Sequence, residues 1–197
     1  MRIRSPGRGD ALLLVDVQKD FLPGGALAVP EGDAVIPPLN EAIRVFSEAG
    51  LPIFATRDWH PPDHCSFVEQ GGLWPLHCVA GTNGAAFPES LRLPASAVVI
   101  SKADDPAAEA YSAFSGTDLA DRLSDRGVTR VFAGGLATDY CVLRTVLDAR
   151  AGGLDVVLLF DAVRAVNVES GDGARAIDRM QAAGANFAPT RTVLAGG

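Results

Sequence analysis

Cys141 is the residue best placed in this chain for nucleophilic chemistry. It falls in the first turn of an expected helix, directly after Gly134-Gly135-Leu136-Ala137-Thr138-Asp139-Tyr140. Unpaired N–H groups and the positive dipole end at such a position favour a thiolate. The double glycine lets the backbone turn sharply and present N–H groups to a developing oxyanion. The competing reading is a buried structural thiol on a helix packed against a sheet. Asp16 follows the apolar run Ala11–Val15, an odd place for a carboxylate. It reads as a general base whose pKa is raised by burial, or as a loop cap or partner of Lys19. Lys102 is then the cation that holds the carboxylate and the thiolate together, or else an ordinary solvated lysine. Nucleophile, base and orienting cation are the parts acyl transfer needs.

A second constellation lies between residues 57 and 94. Asp58 and His60 are two apart in an extended segment and point the same way, and His77 lies further along the same loop. One carboxylate and two imidazoles suit zinc, iron or manganese with open positions for water or substrate. All three histidines of the chain (His60, His64 and His77) fall in this loop, with His64 a weaker fourth ligand and Cys65 and Cys78 weaker still. Solvated or capping histidines are the alternative. Phe21, Trp74, Tyr111 and Tyr140 stand in loops or at element ends near these positions, either as walls of a flat pocket or as core and lid packing.

The elements that must position these residues form a βαβ alternation. Strands are expected at Ala11–Val15, Leu51–Thr56, Ala97–Ser101, Arg130–Ala133 and Asp155–Phe160, with a short last one near Asn186–Pro189. Helices are expected from Ile36 to Gly50, over Thr117–Asp125, from an N-cap at Thr138, and from Ser170 to about Ala183. This order predicts a single three-layer α/β/α domain over residues 1–197, with a mostly parallel sheet and a short extension at residues 1–9. Asp16, Asp58, His60, Lys102 and Cys141 all follow strands, so they gather at one sheet edge, where open α/β sheets bind ligands.

The bulk numbers agree. A chain of 197 residues, 48% hydrophobic, supports one sizeable core. The formal net charge of −7, with scattered lysines and arginines, speaks against nucleic acid as a partner. No apolar run is long enough to cross a bilayer, and Arg2, Arg4 and Arg8 precede no apolar targeting segment, so a cytoplasmic protein is expected. Three cysteines suit a reduced compartment, although a Cys65–Cys78 bridge is conceivable. No glycine-rich nucleotide loop follows a strand. No heptad pattern indicates an oligomer, and a homo-oligomer stays open.

Five segments together resemble the isochorismatase-like hydrolases, and within them the nicotinamidases (pyrazinamidases). They are Leu14-Val-Asp-Val-Gln-Lys-Asp-Phe21, Ala55-Thr-Arg-Asp-Trp-His60, Trp74-Pro-Leu-His-Cys78, Ser101-Lys102 with Tyr111-Ser-Ala-Phe114, and Gly134-Gly-Leu-Ala-Thr-Asp-Tyr-Cys141. The resemblance implies a six-stranded parallel sheet and hydrolysis of a small amide, nicotinamide, to nicotinate and ammonia in NAD salvage. It implies that Cys141 forms a thioester, that Asp16 shuttles the proton, and that Lys102 supports both. It further implies an oxyanion hole from the N–H groups of Ala137 and Cys141 beside a cis Leu136–Ala137 peptide. Asp58, His60 and His77 match metal ligands that orient the ring nitrogen, zinc first among the candidates. Phe21 and Trp74 match ring-stacking walls. Rival readings are a relative acting on another small amide, and a non-catalytic ligand-binding member. Cys65 next to His64 is a departure of this chain that the resemblance leaves without a role.

Overall fold

The structure, a computed structural model, describes residues 3–194. Residues 1 and 2 of the expected extension, and residues 195–197, lie outside the described residues. Six strands form one sheet: β1 (Asp10–Val15), β2 (Ile53–Asp58), β3 (Val98–Lys102), β4 (Arg130–Leu136), β5 (Asp155–Arg164) and β6 (Asn186–Ala188). Every pairing is parallel, in the order β3-β2-β1-β4-β5-β6. Five helices cover it: α1 (Ile36–Glu48), α2 (Leu119–Asp125), α3 (Leu143–Ala151), α4 (Asp172–Ala182) and α5 (Thr190–Leu194).

The alternation of side chains along a strand explains the three layers. Leu12 and Leu14 of β1 enter one core with Leu39, Ile43 and Phe46 of α1 and Val193 of α5. Ala11, Leu13 and Val15 enter the opposite core, against Leu119 of α2, Val146 of α3 and Met180 of α4. Burying each such leucine contributes roughly 1.5–3 kcal/mol, so β1 is the anchor of the fold. The first half of the chain builds outward from β1 through β2 to β3, and the second half starts again on the other side with β4. The strand order reverses between β1 and β4, and the crevice beyond their carboxyl ends is where such sheets bind ligands.

Several expected boundaries move. β2 and β3 run on to include Asp58 and Lys102, which are register partners. β5 continues past Phe160 to Arg164 because an irregularity opposite Ala133–Gly135 absorbs extra residues. Neither expected helix cap is made. Thr138 opens a π-turn, Thr138–Val142, and α4 starts from Gly171 in a left-handed conformation rather than from Ser170. α5, not expected from the sequence, starts where Asp161 Oδ1 accepts the Thr190 N–H and hydroxyl, both at 2.8 Å. Among the described residues no helix is long and apolar enough to cross a membrane.

Candidate active site

β1 ends at Val15, and Asp16 turns the chain in a left-handed conformation (φ 48°). Cys78 (φ 46°) and Ala103 (φ 54°), neighbours of His77 and Lys102, are bent the same way. Residues with a Cβ take this conformation at a cost of about 1 kcal/mol or more each, so backbone strain collects where the polar side chains must be aimed. The Asp16 side chain is fully buried. Its Oδ1 accepts the Thr56 hydroxyl at 2.6 Å, and its Oδ2 lies 3.0 Å from Lys102 Nζ with no hydrogen bond of its own. Lys102, 1% exposed, also reaches Asp58 Oδ1 at 2.5 Å, the Ala110 carbonyl at 3.1 Å and Cys141 Sγ at 3.6 Å. Parallel register partners share a face, so Asp58 and Lys102 meet because β2 and β3 pair at that rung.

The electrostatics follow from burial and this one cation. Burial raises the Asp16 pKa, and the Asp58 charge adds to it against the opposing pull of Lys102 and the Thr56 hydroxyl. Asp58 stays below the usual carboxylate range: its burial penalty is outweighed by Lys102 and the facing His60. Lys102 is pushed down by burial but held well above its ordinary value by the two carboxylates. The Cys141 thiol is raised by burial and by Asp16 and Asp58, with Lys102 opposing. The dipole-favoured thiolate expected from the sequence is therefore not the resting form. The thiol keeps its proton, and Asp16 beside it is the group able to take it.

The turn that carries Cys141 is as specific as its partners. Gly135 has φ 133°, and a Cβ there would run into the Val15 carbonyl, so β4 can approach β1 only with glycine at that point. The Leu136–Ala137 peptide is cis. The Ala137 carbonyl then accepts the N–H groups of Tyr140 and Val142, each at 3.1 Å. It passes over the Cys141 N–H, the wider spacing of a π-turn.

Asp58, His60 and His77 have ligand atoms within 4.8 Å of one another, and all three side chains are buried. His60 Nδ1 lies 3.2 Å from the Ala103 carbonyl and His77 Nδ1 2.8 Å from the Pro75 carbonyl. Carbonyls only accept, so both rings carry their proton on Nδ1 and leave Nε2 bare. Asp58 gives one oxygen to Lys102 and presents the other, Oδ2, 3.7 Å from His60 Nε2. Burial lowers the His60 pKa to about 4, keeping the ring neutral. Two bare imidazole nitrogens and one free carboxylate oxygen fit a divalent metal. His64 is engaged elsewhere, with Nδ1 2.7 Å from Ser66 Oγ and Nε2 3.1 Å from the Ala108 carbonyl. Cys78 is a free, buried core thiol driven upward in pKa by burial and the nearby carboxylates, and its backbone N–H is held by Asp20 Oδ2 at 2.7 Å. Cys65 is a free thiol as well, so no Cys65–Cys78 bridge forms.

The nucleophile and the three metal-ligand candidates face one pocket. Phe21, Trp74, Tyr111 and Tyr140 all line it, as do Asp58, His60, His77, Ala137 and Cys141. Trp74 donates its indole N–H to the Tyr111 hydroxyl at 3.0 Å and meets Tyr140 edge-on at 5.0 Å, so these three make one wall. Phe21 lies against His77. Sequence reasoning missed Gln18, whose amide donates to the Asp58 and Ala85 carbonyls and whose Oε1 accepts the Asp58 N–H. It also missed Thr56, Glu109 and Val166. Only Gln18 left a signal, a polar residue two positions after Asp16, just past the apolar run of β1.

A family model of the isochorismatase domain matches residues 10–192. The nicotinamidase of Escherichia coli (strain K12) is 41% identical over 198 residues, spanning 90% of this chain and 93% of that protein. The pyrazinamidase of Pyrococcus horikoshii in complex with zinc superposes with a TM-score of 0.88 at 52% identity, over 92% of this chain and 99% of that one. PnC1 from L. infantum in complex with nicotinate gives a TM-score of 0.88 at 35% identity, over 98% of both chains.

Proposed function

Because the chain belongs to the isochorismatase family, we propose that it is a metal-dependent nicotinamidase. In this reading it converts nicotinamide to nicotinate and ammonia, acts on pyrazinamide as well, and returns the pyridine ring to NAD synthesis. The whole chain, residues 1–197, serves as one hydrolase domain. The observation that carries the reading is the shared Asp58 carboxylate, one oxygen on Lys102 and the other facing His60. It joins the surroundings of a nucleophilic thiol to a metal-ligand set inside one aromatic-walled cavity.

Asp16 takes the Cys141 proton as sulfur attacks the carboxamide carbon. The Ala137 and Cys141 N–H groups hold the resulting oxyanion, a contribution of about 3–4 kcal/mol per donor in comparable sites. The proton on Asp16 passes to the departing nitrogen, ammonia leaves, and a thioester remains. Asp16, now ionised again, removes a proton from water as it attacks the thioester carbon. Nicotinate departs, and Cys141 Sγ recovers the proton. Lys102 stays charged throughout and offsets whichever of Asp16 or Cys141 is negative. Phe21 and the Trp74–Tyr111–Tyr140 wall orient the ring and exclude water. A zinc, iron or manganese ion held by Asp58, His60 and His77 supplies a Lewis-acid anchor for the ring nitrogen when bound.

The test is ammonia release from nicotinamide, pyrazinamide and a panel of small aliphatic amides, with Cys141→Ala as the control. The wild type turns over the two ring amides, and the variant falls by about 10⁵-fold or more while keeping its fold and metal. A marked preference for an aliphatic amide would redirect the substrate assignment, and retained activity in Cys141→Ala would remove the nucleophile.

A further inference from the structure

A carboxamide and a carboxylate of the same shape differ by one charge, and the pocket lining is one-sided towards that charge. Asp58 and Glu109 line the pocket, and no lysine or arginine is among the lining residues. Asp58 is committed to Lys102, which is 1% exposed and already shared with Asp16. Glu109 is different. It is exposed, takes no part in the hydrolysis described above, and is in no ion pair among the described residues. Its place beside the reacting groups is marked by Tyr111, whose hydroxyl accepts the Trp74 indole N–H at 3.0 Å. Burial raises the Tyr111 pKa and the Trp74 bond opposes this, while the Glu109 carboxylate and Cys141 add to the rise, so the hydroxyl stands within reach of both groups. A carboxylate at this place repels any second negative charge that enters, and water and salt screen it only in part.

We propose that Glu109 is a specificity-determining residue: its charge turns away amides that carry a carboxylate and weakens the hold on the carboxylate product, leaving neutral amides as the substrate class. The proposal rests on the reading of this pocket as an amidase site. Hydrolysis turns a neutral amide into an anion without altering the ring. An aromatic wall holds substrate and product alike, so a fixed charge is what tells the two apart. Glu109 supplies no proton and forms no bond in the reaction; it acts on the charge of the ligand.

The experiment is inhibition of ammonia release by two competitors with the same ring, nicotinate (an anion) and pyridine-3-methanol (neutral). It is run with whichever amide the wild type hydrolyses best. In Glu109→Gln, which keeps the size of the side chain and one of its oxygens, the inhibition constant of nicotinate should fall about three- to tenfold, the range for one partly screened unit charge. That of pyridine-3-methanol should change by less than about twofold. Raising the ionic strength should bring the wild-type nicotinate value down towards that of the variant, and Glu109→Asp should behave as the wild type. Equal shifts for both competitors, no shift for nicotinate, or a shift indifferent to salt would overturn the proposal. A wild type that hydrolyses no amide removes the functional reading itself, whereas an unchanged ratio between the two competitors removes only the role of Glu109.

Discussion

Strand β1 opens on one buried aspartate, Asp10, and is followed directly by another, Asp16, and the two are treated in opposite ways. At the amino end, Asp10 is the register partner of Arg130. Its two oxygens accept from Arg130 Nε and Nη2 at 2.9 and 2.7 Å, from both Arg4 amino groups at 3.1 Å, and from the Gly7 N–H at 2.7 Å. Five donors satisfy that carboxylate, and Arg130 is braced over the Phe132 ring at 4.6 Å. At the carboxyl end, Asp16 has one hydroxyl and a lysine that it shares with Asp58 and Cys141, and one oxygen is left without a hydrogen bond. The same residue type is held by five donors at one end of the strand and by shared, incomplete partners just past the other. The number and ownership of the donors make the difference.

The comparison breaks most visibly at the carboxyl end. Asp16→Asn should lower kcat/KM by about 10⁴-fold, roughly 5.5 kcal/mol of barrier, while changing stability in urea by less than about 1 kcal/mol, because a costly buried charge is removed. At the amino end the effects should be exchanged. Asp10→Ala strands Arg130 and should cost about 3–5 kcal/mol of stability, with kcat/KM of the folded fraction within about twofold of wild type. A loss of activity there without a loss of stability would abolish the distinction.

Acid should separate the two ends next. His60 titrates at about 4 in the folded chain against 6.5 for the free side chain. Above pH 6.5 neither state binds that proton, and the stabilisation is complete. As pH falls from 6.5 towards 4 only the unfolded chain takes the proton, so stability is lost across that window, by about 3 kcal/mol in total. Urea unfolding of metal-free protein at several pH values measures this, and His60→Gln should flatten the slope. The smallest change is Thr56→Val. The hydroxyl favours ionised Asp16, so its loss should raise the Asp16 pKa further. Activity needs Asp16 ionised, and the acidic limb of the kcat/KM profile should therefore move to higher pH by about one unit. A shift to lower pH would show that Asp16 is not the group being titrated.

Much of this was legible in the residues because local patterns carry it. Five apolar residues before Asp16 mark a strand covered on both faces, and the strand-end positions of Asp58, Lys102 and Cys141 mark one sheet edge. What stayed hidden depends on relations between segments. That Asp58 and Lys102 meet follows from the β2–β3 register, which no single-strand pattern encodes. That His64 turns to Ser66 and Ala108 depends on where a distant loop lies. The protonated resting thiol reflects burial and two carboxylates that outweigh the local helix end. The length of β5 was missed because Asp161 ends the apolar run just where the irregularity falls.

The π-turn at Thr138–Val142 makes chain length, rather than residue identity, the tightest constraint on the nucleophile. It holds one residue more than an α-helical turn, and that residue sets the angle at which Cys141 stands relative to α3. Removing Val142 would let an ordinary helix form while turning everything before the deletion by about 100°. Leu143, Val146 and Ala149 would keep their seats in the core, and the thiol would be carried away from Asp16 and Lys102. A protein so shortened is expected to keep α3 in its place and to lose its chemistry, so this segment tolerates substitution better than deletion.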